Sequence, residues 1–200
     1  MFSLLYGFWE YIFRKEELRV LMLGLDKAGK TNLLERLKTL YTDTPGLESD
    51  KVLPTVGLNV GRLDVNKAEL LLWDLGGQPG LRSIWDKYYA DSHGVIFVVD
   101  CTTPARLDEA KHALDGALGS RELFGAPLLV MANKQDVEGH VPASEITQSL
   151  GLGIIDGRPC RVQPISAHNG NGIREAMRWL VDEIGASDRK LMLRNRAGAQ

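Results

Sequence analysis

Cysteine is scarce: Cys101 and Cys160 are the only two in 200 residues. They lack metal-ligand spacing and are too few for a disulfide framework, so a reducing, cytosolic compartment is expected. Histidine is sparse too. His93, His112, His140 and His168 stand singly, and no histidine-built metal site is expected. Excess charge of one sign is missing, because 24 basic and 26 acidic residues leave a net −2. No nucleic-acid partner is expected from that balance. There is no low-complexity run, and no apolar stretch reaches the about 20 residues of a membrane-spanning helix. No basic leader with a small-residue cleavage site precedes the first apolar run, so no signal peptide is expected.

What is present is a globular composition, 44% hydrophobic and 25% charged, long enough for one domain with a full core. Residues 18–186 read as that domain, preceded by a helix over 1–17 and followed by a basic tail over 187–200. In the first segment Phe2, Leu5, Tyr6, Trp9, Ile12 and Phe13 fall on one helical face. Ser3, Gly7, Glu10, Arg14 and Glu17 make a narrow polar stripe opposite. Such a helix docks on its own domain, on a partner or on a membrane surface. In the tail, Arg189, Lys190, Arg194 and Arg196 are too spread for a strong patch, and a frayed, solvated end is expected.

Between these ends, apolar runs alternate with helical periodicity. Strands are expected at Leu18–Leu23, Leu58–Val65, Ala68–Trp73, Gly94–Val99, Leu128–Met131 and Arg161–Ile165, the second and third forming a hairpin across Asn66-Lys67. Helices are expected at Lys30–Leu40, Ala105–Leu118, Pro142–Leu150 and Gly172–Ile184, with Pro142 as the first helical residue. Thr42–Asp50 reads as a loop, and Gly80–Ala90 as an irregular loop running into a helix. The alternation implies an α/β fold, a mostly parallel sheet with one antiparallel edge hairpin and helices on both faces. Ligands of such sheets sit beyond the carboxyl ends of the strands, and every motif below follows a strand.

Gly24-Leu25-Asp26-Lys27-Ala28-Gly29-Lys30-Thr31 fits the phosphate-loop pattern G-x-x-x-x-G-K-[ST]. Glycines let the backbone turn its N–H groups inward, and the next helix offers its positive end. Lys30 adds a charge between the β- and γ-phosphates, and the Thr31 hydroxyl ligates Mg²⁺. Asn133-Lys134-Gln135-Asp136 resembles the N-K-x-D motif of GTPases. A carboxylate at Asp136 accepts from both guanine donors, N1–H and the 2-amino group, and adenine lacks that pair. The Lys134 stem can cover the base, and Asn133 is expected to brace the phosphate loop. Ser166-Ala167-His168 resembles S-A-K, in which the alanine N–H meets guanine O6; histidine replaces the lysine.

Asp74-Leu75-Gly76-Gly77-Gln78 supplies three roles. Asp74 is placed to hold Mg²⁺ through water, the Gly77 N–H can meet the γ-phosphate, and Gln78 is positioned to orient the attacking water, as the equivalent glutamine does in related GTPases. Pro54-Thr55 precedes the hairpin, with Thr55 as a second hydroxyl for Mg²⁺. Loss of the γ-phosphate would release Thr55 and Gly77, an order–disorder switch.

Together, Gly-Leu-Asp-Lys-Ala-Gly-Lys-Thr, Pro-Thr-Val-Gly-Leu-Asn, Trp-Asp-Leu-Gly-Gly-Gln and Ala-Asn-Lys-Gln-Asp resemble the ADP-ribosylation-factor family of small GTPases, over nearly the whole chain. The resemblance implies the small G-protein form of the P-loop NTPase fold, and a monomer. It further implies a GTP/GDP switch with Mg²⁺, an exchange factor, an activating protein and effectors, acting in vesicle traffic. Departures are visible. Phe2 stands where most members have the myristoylated glycine, so myristoylation is not expected, and the absence of a C-terminal cysteine argues against prenylation. The start Met1-Phe2-Ser3-Leu4-Leu5 and the long Thr31–Thr55 interval are similar to a Golgi branch with an acetylated N-terminus and an integral membrane receptor. Leu58 replaces phenylalanine in an exposed effector patch completed by Trp73 and Tyr88. Asn32 replaces a common threonine beside the Mg²⁺ ligand.

The resemblance also implies coupling between the nucleotide and the membrane: with GTP the Leu58–Trp73 hairpin slides along the sheet and expels the N-terminal helix. Such a slide must be two residues, since one would turn each buried side chain outward. No arginine finger is evident and Asp26 crowds the loop, so intrinsic hydrolysis is expected to be slow. A partner's arginine would raise it by roughly 10³–10⁵. A nucleotide-loaded adaptor with negligible hydrolysis is the alternative. A P-loop kinase would need an arginine-rich lid, which the sequence lacks.

Overall fold

The computed structural model describes residues 15–42, 53, 55, 57–66 and 68–197. The expected N-terminal helix with Phe2, Leu5, Tyr6, Trp9, Ile12 and Phe13 lies outside these, as do Pro54 and most of the Thr42–Asp50 loop. The helix's expected end at residue 17 is corrected, because Glu16 and Glu17 belong to the first strand, paired with Ala68 and Glu69. The elements run β1 (Glu16–Leu23), α1 (Lys30–Tyr41), β2 (Leu58–Val65), β3 (Ala68–Leu75), a 3-10 helix at Pro79–Tyr88, β4 (Gly94–Asp100) and α2 (Leu107–Leu118). They continue with β5 (Leu128–Asn133), α3 (Ala143–Ser149), β6 (Cys160–Pro164), α4 (Ile173–Ala186) and α5 (Asp188–Ala197).

The strands form one sheet in the order β2-β3-β1-β4-β5-β6. Among the described residues only β2 and β3 pair antiparallel, with Leu58 opposite Leu75 and Val65 opposite Ala68; the other neighbours are parallel. Side chains alternate between the two faces of a strand. Val20, Met22, Leu70, Leu72, Ile96, Val98, Leu129 and Met131 pack under Leu33, Leu34 and Leu37 of α1 and Met177, Leu180 and Ile184 of α4. The intervening Leu21, Leu23, Val95, Phe97, Val99, Leu128 and Val130 pack on the other side with Leu114, Ile146 and Trp85. Both faces are covered, which is why the central strands read as unbroken apolar runs.

Four further expectations change on contact with the structure. Gly80–Ala90 is not an irregular loop entering a helix but a 3-10 helix from Pro79, anchored where the Trp85 indole N–H donates to the Gly76 carbonyl at 3.0 Å. Pro142 does not open its helix; it sits extended one position earlier, its carbonyl accepting from Glu145 and Ile146. Residues 104–106 form a separate 3-10 turn before α2. The tail is not a frayed, solvated end. It folds as α5, and Arg189 is only 5% exposed. Its guanidinium donates to the carbonyls of Ser92 (2.7 Å), Tyr89 (2.7 Å) and Phe124 (3.2 Å). Lys190 pairs with Glu16 at the start of β1. A basic residue's long stem and five donors let it close carbonyls left open at distant turns, which charge counting along the chain does not register.

Candidate nucleotide site

The loop between β1 and α1 owes its shape to backbone that few side chains tolerate. Gly24 and Gly29 have positive φ, and so does Lys27 at 64°. A Cβ on Gly24 would meet the Val98 carbonyl oxygen at 2.3 Å, and one on Gly29 the Asn133 side-chain nitrogen at 2.5 Å. Among the described residues no side chain caps the N-terminus of α1, so its first amides remain available to an anion. Lys30 begins that helix at 6% exposure, its ammonium donating to Gly24 O (3.0 Å) and Leu25 O (2.8 Å). Burial pulls its pKa down to about 8, against the pull of the Asp74 charge. An anion in the loop would restore that charge.

Three oxygens converge beside it. The hydroxyls of Thr31 and Thr55 lie 2.7 Å apart, and both donate to Asp74 Oδ2, at 2.9 and 3.2 Å. Asp74 is fully buried, and its second oxygen, Oδ1, has no hydrogen-bond partner among the described residues. Burial raises its pKa, while the Thr31 hydroxyl and the Lys30 charge act the other way. Gly77 presses on the phosphate loop: a Cβ there would lie 2.4 Å from Gly24 O and 2.5 Å from the Asp26 nitrogen. Gln78 follows in extended conformation. Asp26, Lys27, Gly29, Lys30, Thr31, Asn32, Leu53, Thr55, Gly77, Gln78 and Lys134 line one cleft of about 350 Å³.

The base-side residues sit at the ends of β5 and β6. Asn133 Nδ2 donates to Ala28 O at 2.9 Å, and its Oδ1 accepts from the Ala167 N–H at 2.9 Å. The Ala167 amide assigned to guanine O6 is thus engaged by Asn133 here. Ser166 donates to Asp136 Oδ1 at 2.5 Å, and that hydroxyl first of all holds the carboxyl below its usual range. Asp136 is exposed and outside the lining of the 350 Å³ cleft. Lys134, at φ 68°, is held by Asp100 at 2.5 Å. Arg36 of α1 donates to the carbonyls of Ala167 and His168, clamping the loop in which histidine replaces lysine. In the effector patch the Trp73 and Tyr88 rings are 5.3 Å apart. Leu58 is exposed, but Val60 is the residue directly opposite Trp73.

Sequence reasoning missed several participants: Val60, Arg36, Leu53 and a charged chain through Arg82, Glu109 and Arg106. Arg106 donates to Asp26 O (2.9 Å) and Oδ1 (2.7 Å), and also to Glu109. Arg82 donates to Gly77 O (2.9 Å) and to Glu109 (2.5 Å). The hydrogen bond from Arg106 leads in holding the Asp26 carboxyl below its usual range, and that from Arg82 does so for Glu109. The contacts from Arg106 to Asp26 and from Arg82 to Glu109 join positions 80 and 27 apart, and no local motif announces them. Among the described residues no cluster of three His, Cys, Asp or Glu could hold a metal.

A glycine-shaped phosphate loop on a mostly parallel sheet, a buried lysine and an N-K-x-D loop braced to it define a small GTPase, which binds guanine nucleotide and hydrolyses GTP. The chain belongs to the ADP-ribosylation factor family, whose sequence model matches residues 5–184. It is 47% identical over 184 residues to ADP-ribosylation factor-related protein 1 of Homo sapiens and of Bos taurus, spanning 90% of this chain and 92% of each relative. ADP-ribosylation factor-like protein 3 of Saccharomyces cerevisiae is 40% identical over the same span. Among solved structures, the Arl6 BBS3 small GTPase of Trypanosoma brucei, with bound nucleotide analogue GppNp, is similar at TM-score 0.75 and 28% identity. That match covers 86% of this chain and 99% of the other. Members of this family work with exchange factors, activating proteins and effectors.

Proposed function

We propose that the chain is a switch in Golgi vesicle traffic, with Mg²⁺ completing its nucleotide site and an activating protein setting its rate. The observation that carries the nucleotide half is the convergence of Thr31, Thr55 and Asp74 beside Lys30. Asp74 accepts both hydroxyls on one oxygen and leaves Oδ1 buried without a partner among the described residues. A buried, unpaired carboxylate oxygen is costly. Hard oxygen donors of this kind fit a hydrated Mg²⁺. Thr31 and Thr55 would hold it directly and Asp74 through water. When bound, the ion supplies charge neutralisation at the β- and γ-phosphates.

The chain's own residues do the rest. Lys30 exchanges two carbonyls for phosphate oxygens, and the amides of the loop and of α1 surround them. Gly77, pressed on the loop, brings its N–H to the γ-phosphate, and Gln78 orients the water in line with it. Departure of the γ-phosphate removes the partner of Thr55 and Gly77 together.

The membrane half rests on the apolar face that the sequence pattern gives residues 1–14, ahead of β1, and on similarity to ADP-ribosylation factor-related protein 1. The helix with Phe2, Leu5, Tyr6, Trp9, Ile12 and Phe13 is expelled when β2 and β3 slide two residues along β1, and meets the Golgi membrane or an integral receptor there. The test is partition onto vesicles of the full chain and of a chain lacking residues 1–14, which leaves β1 intact, each loaded with GDP or a non-hydrolysable GTP analogue. Only the full chain with the GTP analogue should bind strongly; equal partition in all four samples defeats the coupling. For the rate, Gln78→Leu should lose stimulated turnover by about 10²-fold. Undiminished stimulation would remove Gln78 from its role.

A further inference from the structure

The hydrolytic loop is held at three successive carbonyls. Gly76 O accepts from the Trp85 indole, Gly77 O from Arg82 Nε, and Gln78 O from the Leu81 N–H. All three bonds lie within the segment that carries Gln78, but the Arg82 guanidinium also reaches out of it, to Glu109 of α2. Glu109 is shared. Its other oxygen accepts from Arg106, whose remaining nitrogens grip both the backbone and the carboxylate of Asp26 in the phosphate loop. Gly77 itself lies against Asp26, so the contacts close into a ring: Gly77, Arg82, Glu109, Arg106, Asp26 and back.

We propose that Arg82 and Glu109 are positioning residues for GTP hydrolysis, fixing the Gly77–Gln78 peptide relative to the phosphate loop. The peptide unit is planar. Holding its oxygen therefore sets the direction in which the Gln78 backbone leaves the γ-phosphate site. A planar guanidinium does this better than an ammonium, since its fork binds a carbonyl and a carboxylate at once. Glu109 serves as the hub because each of its oxygens takes a different arginine. The exposed Gln78 side chain then starts from a backbone referenced to Asp26 as well as to its own segment. This rests on the reading of Gln78 as the residue that orients water.

The experiment uses the full chain loaded with Mg²⁺·GTP and measures single-turnover phosphate release for Arg82→Ala, Glu109→Ala and the double variant. Dissociation constants for GDP and thermal midpoints are measured alongside. Each single variant should slow release about tenfold or more, with GDP affinity within about twofold of the parent. The double variant should be no slower than the slower single, because both act through one chain of contacts. Arg82→Lys, which keeps charge without the fork, should recover only part of the rate; it and Glu109→Gln replace any alanine variant that does not fold. Unchanged release in folded variants overturns the proposal. So do losses that multiply in the double variant, or a fall in GDP affinity that matches the fall in rate. Gln78→Leu is run in parallel. If it hydrolyses at the parental rate, the Gln78 reading fails and this inference with it. If it is inert while Arg82→Ala runs at full speed, this inference alone fails.

Discussion

Asn133 and Ala28 lie 105 positions apart, yet the Asn133 amide donates to the Ala28 carbonyl at 2.9 Å. The same side chain accepts from Ala167. One residue at the end of β5 thereby ties the phosphate loop to the base-side loop after β6. Its side chain is buried, so neither bond is replaced by water when it is removed. Asn133→Ala should cost about 2 kcal/mol in chemical unfolding and accelerate release of GDP as well as GTP, since both halves of the site loosen. A variant with wild-type nucleotide off-rates would show that the brace is dispensable.

Lys30 makes a pH prediction. Without nucleotide its pKa is down at about 8, so the folded chain holds this proton less tightly than the unfolded chain does. Between about pH 8 and the ordinary lysine value the unfolded state binds more protons, and the nucleotide-free protein should gain stability as pH rises through that window. Phosphate binding should recharge the amine. At pH 8, well above the terminal phosphate's own titration near about pH 6, nucleotide binding is expected to take up about half a proton per site at Lys30. Calorimetry at pH 8 in buffers of differing ionisation enthalpy measures this directly. Lys30→Ala should remove that uptake along with most of the affinity.

Gly77 lies so close to the loop that any side chain meets backbone, with Gly24 O at 2.4 Å and Asp26 N at 2.5 Å from a Cβ. Backbone cannot swing aside as a side-chain tip can. Gly77→Ala should therefore hold the segment off the phosphate loop and weaken a GTP analogue about tenfold or more, while GDP, which needs no contact with Gly77, binds as before. Equal effects on the two nucleotides, measured by competition, would contradict the assignment.

Arg189 closes three carbonyls from one buried position. Burial also pushes its own pKa down to about 10, with the charges of Arg196 and Arg158 adding to the effect. It stays protonated at neutral pH. Arg189→Ala should destabilise the domain by about 3 kcal/mol, because the Ser92, Tyr89 and Phe124 carbonyls lose their partner. Thermal unfolding measures the loss. Nucleotide selectivity should not change, since these carbonyls lie at the far end of β4 from the site.

How much of this was legible beforehand depends on the range over which each feature is encoded. The sheet, its antiparallel hairpin, the phosphate loop and the Asn133–Asp136 loop are all spelled by residues adjacent in the chain. Period-2 and helical patterns set which faces are apolar, and glycines at 24 and 29 mark turns that other residues cannot make. Element limits shifted by a residue or two, as at Pro142 and Leu107, because ends are settled by individual capping bonds.

The sequence by itself determined the chemistry: a lysine and a threonine after a glycine loop, an aspartate after one strand, an asparagine and an aspartate after another. Only the tertiary structure decided which distant groups hold that chemistry in place. Arg82 and Arg106 meeting on Glu109, Arg36 clamping the Ala167–His168 carbonyls, and Arg189 turning a basic tail into a docked helix have no local signature. A long cationic side chain carries the same code whether it reaches solvent or a carbonyl far along the chain, and the path of the backbone makes that choice.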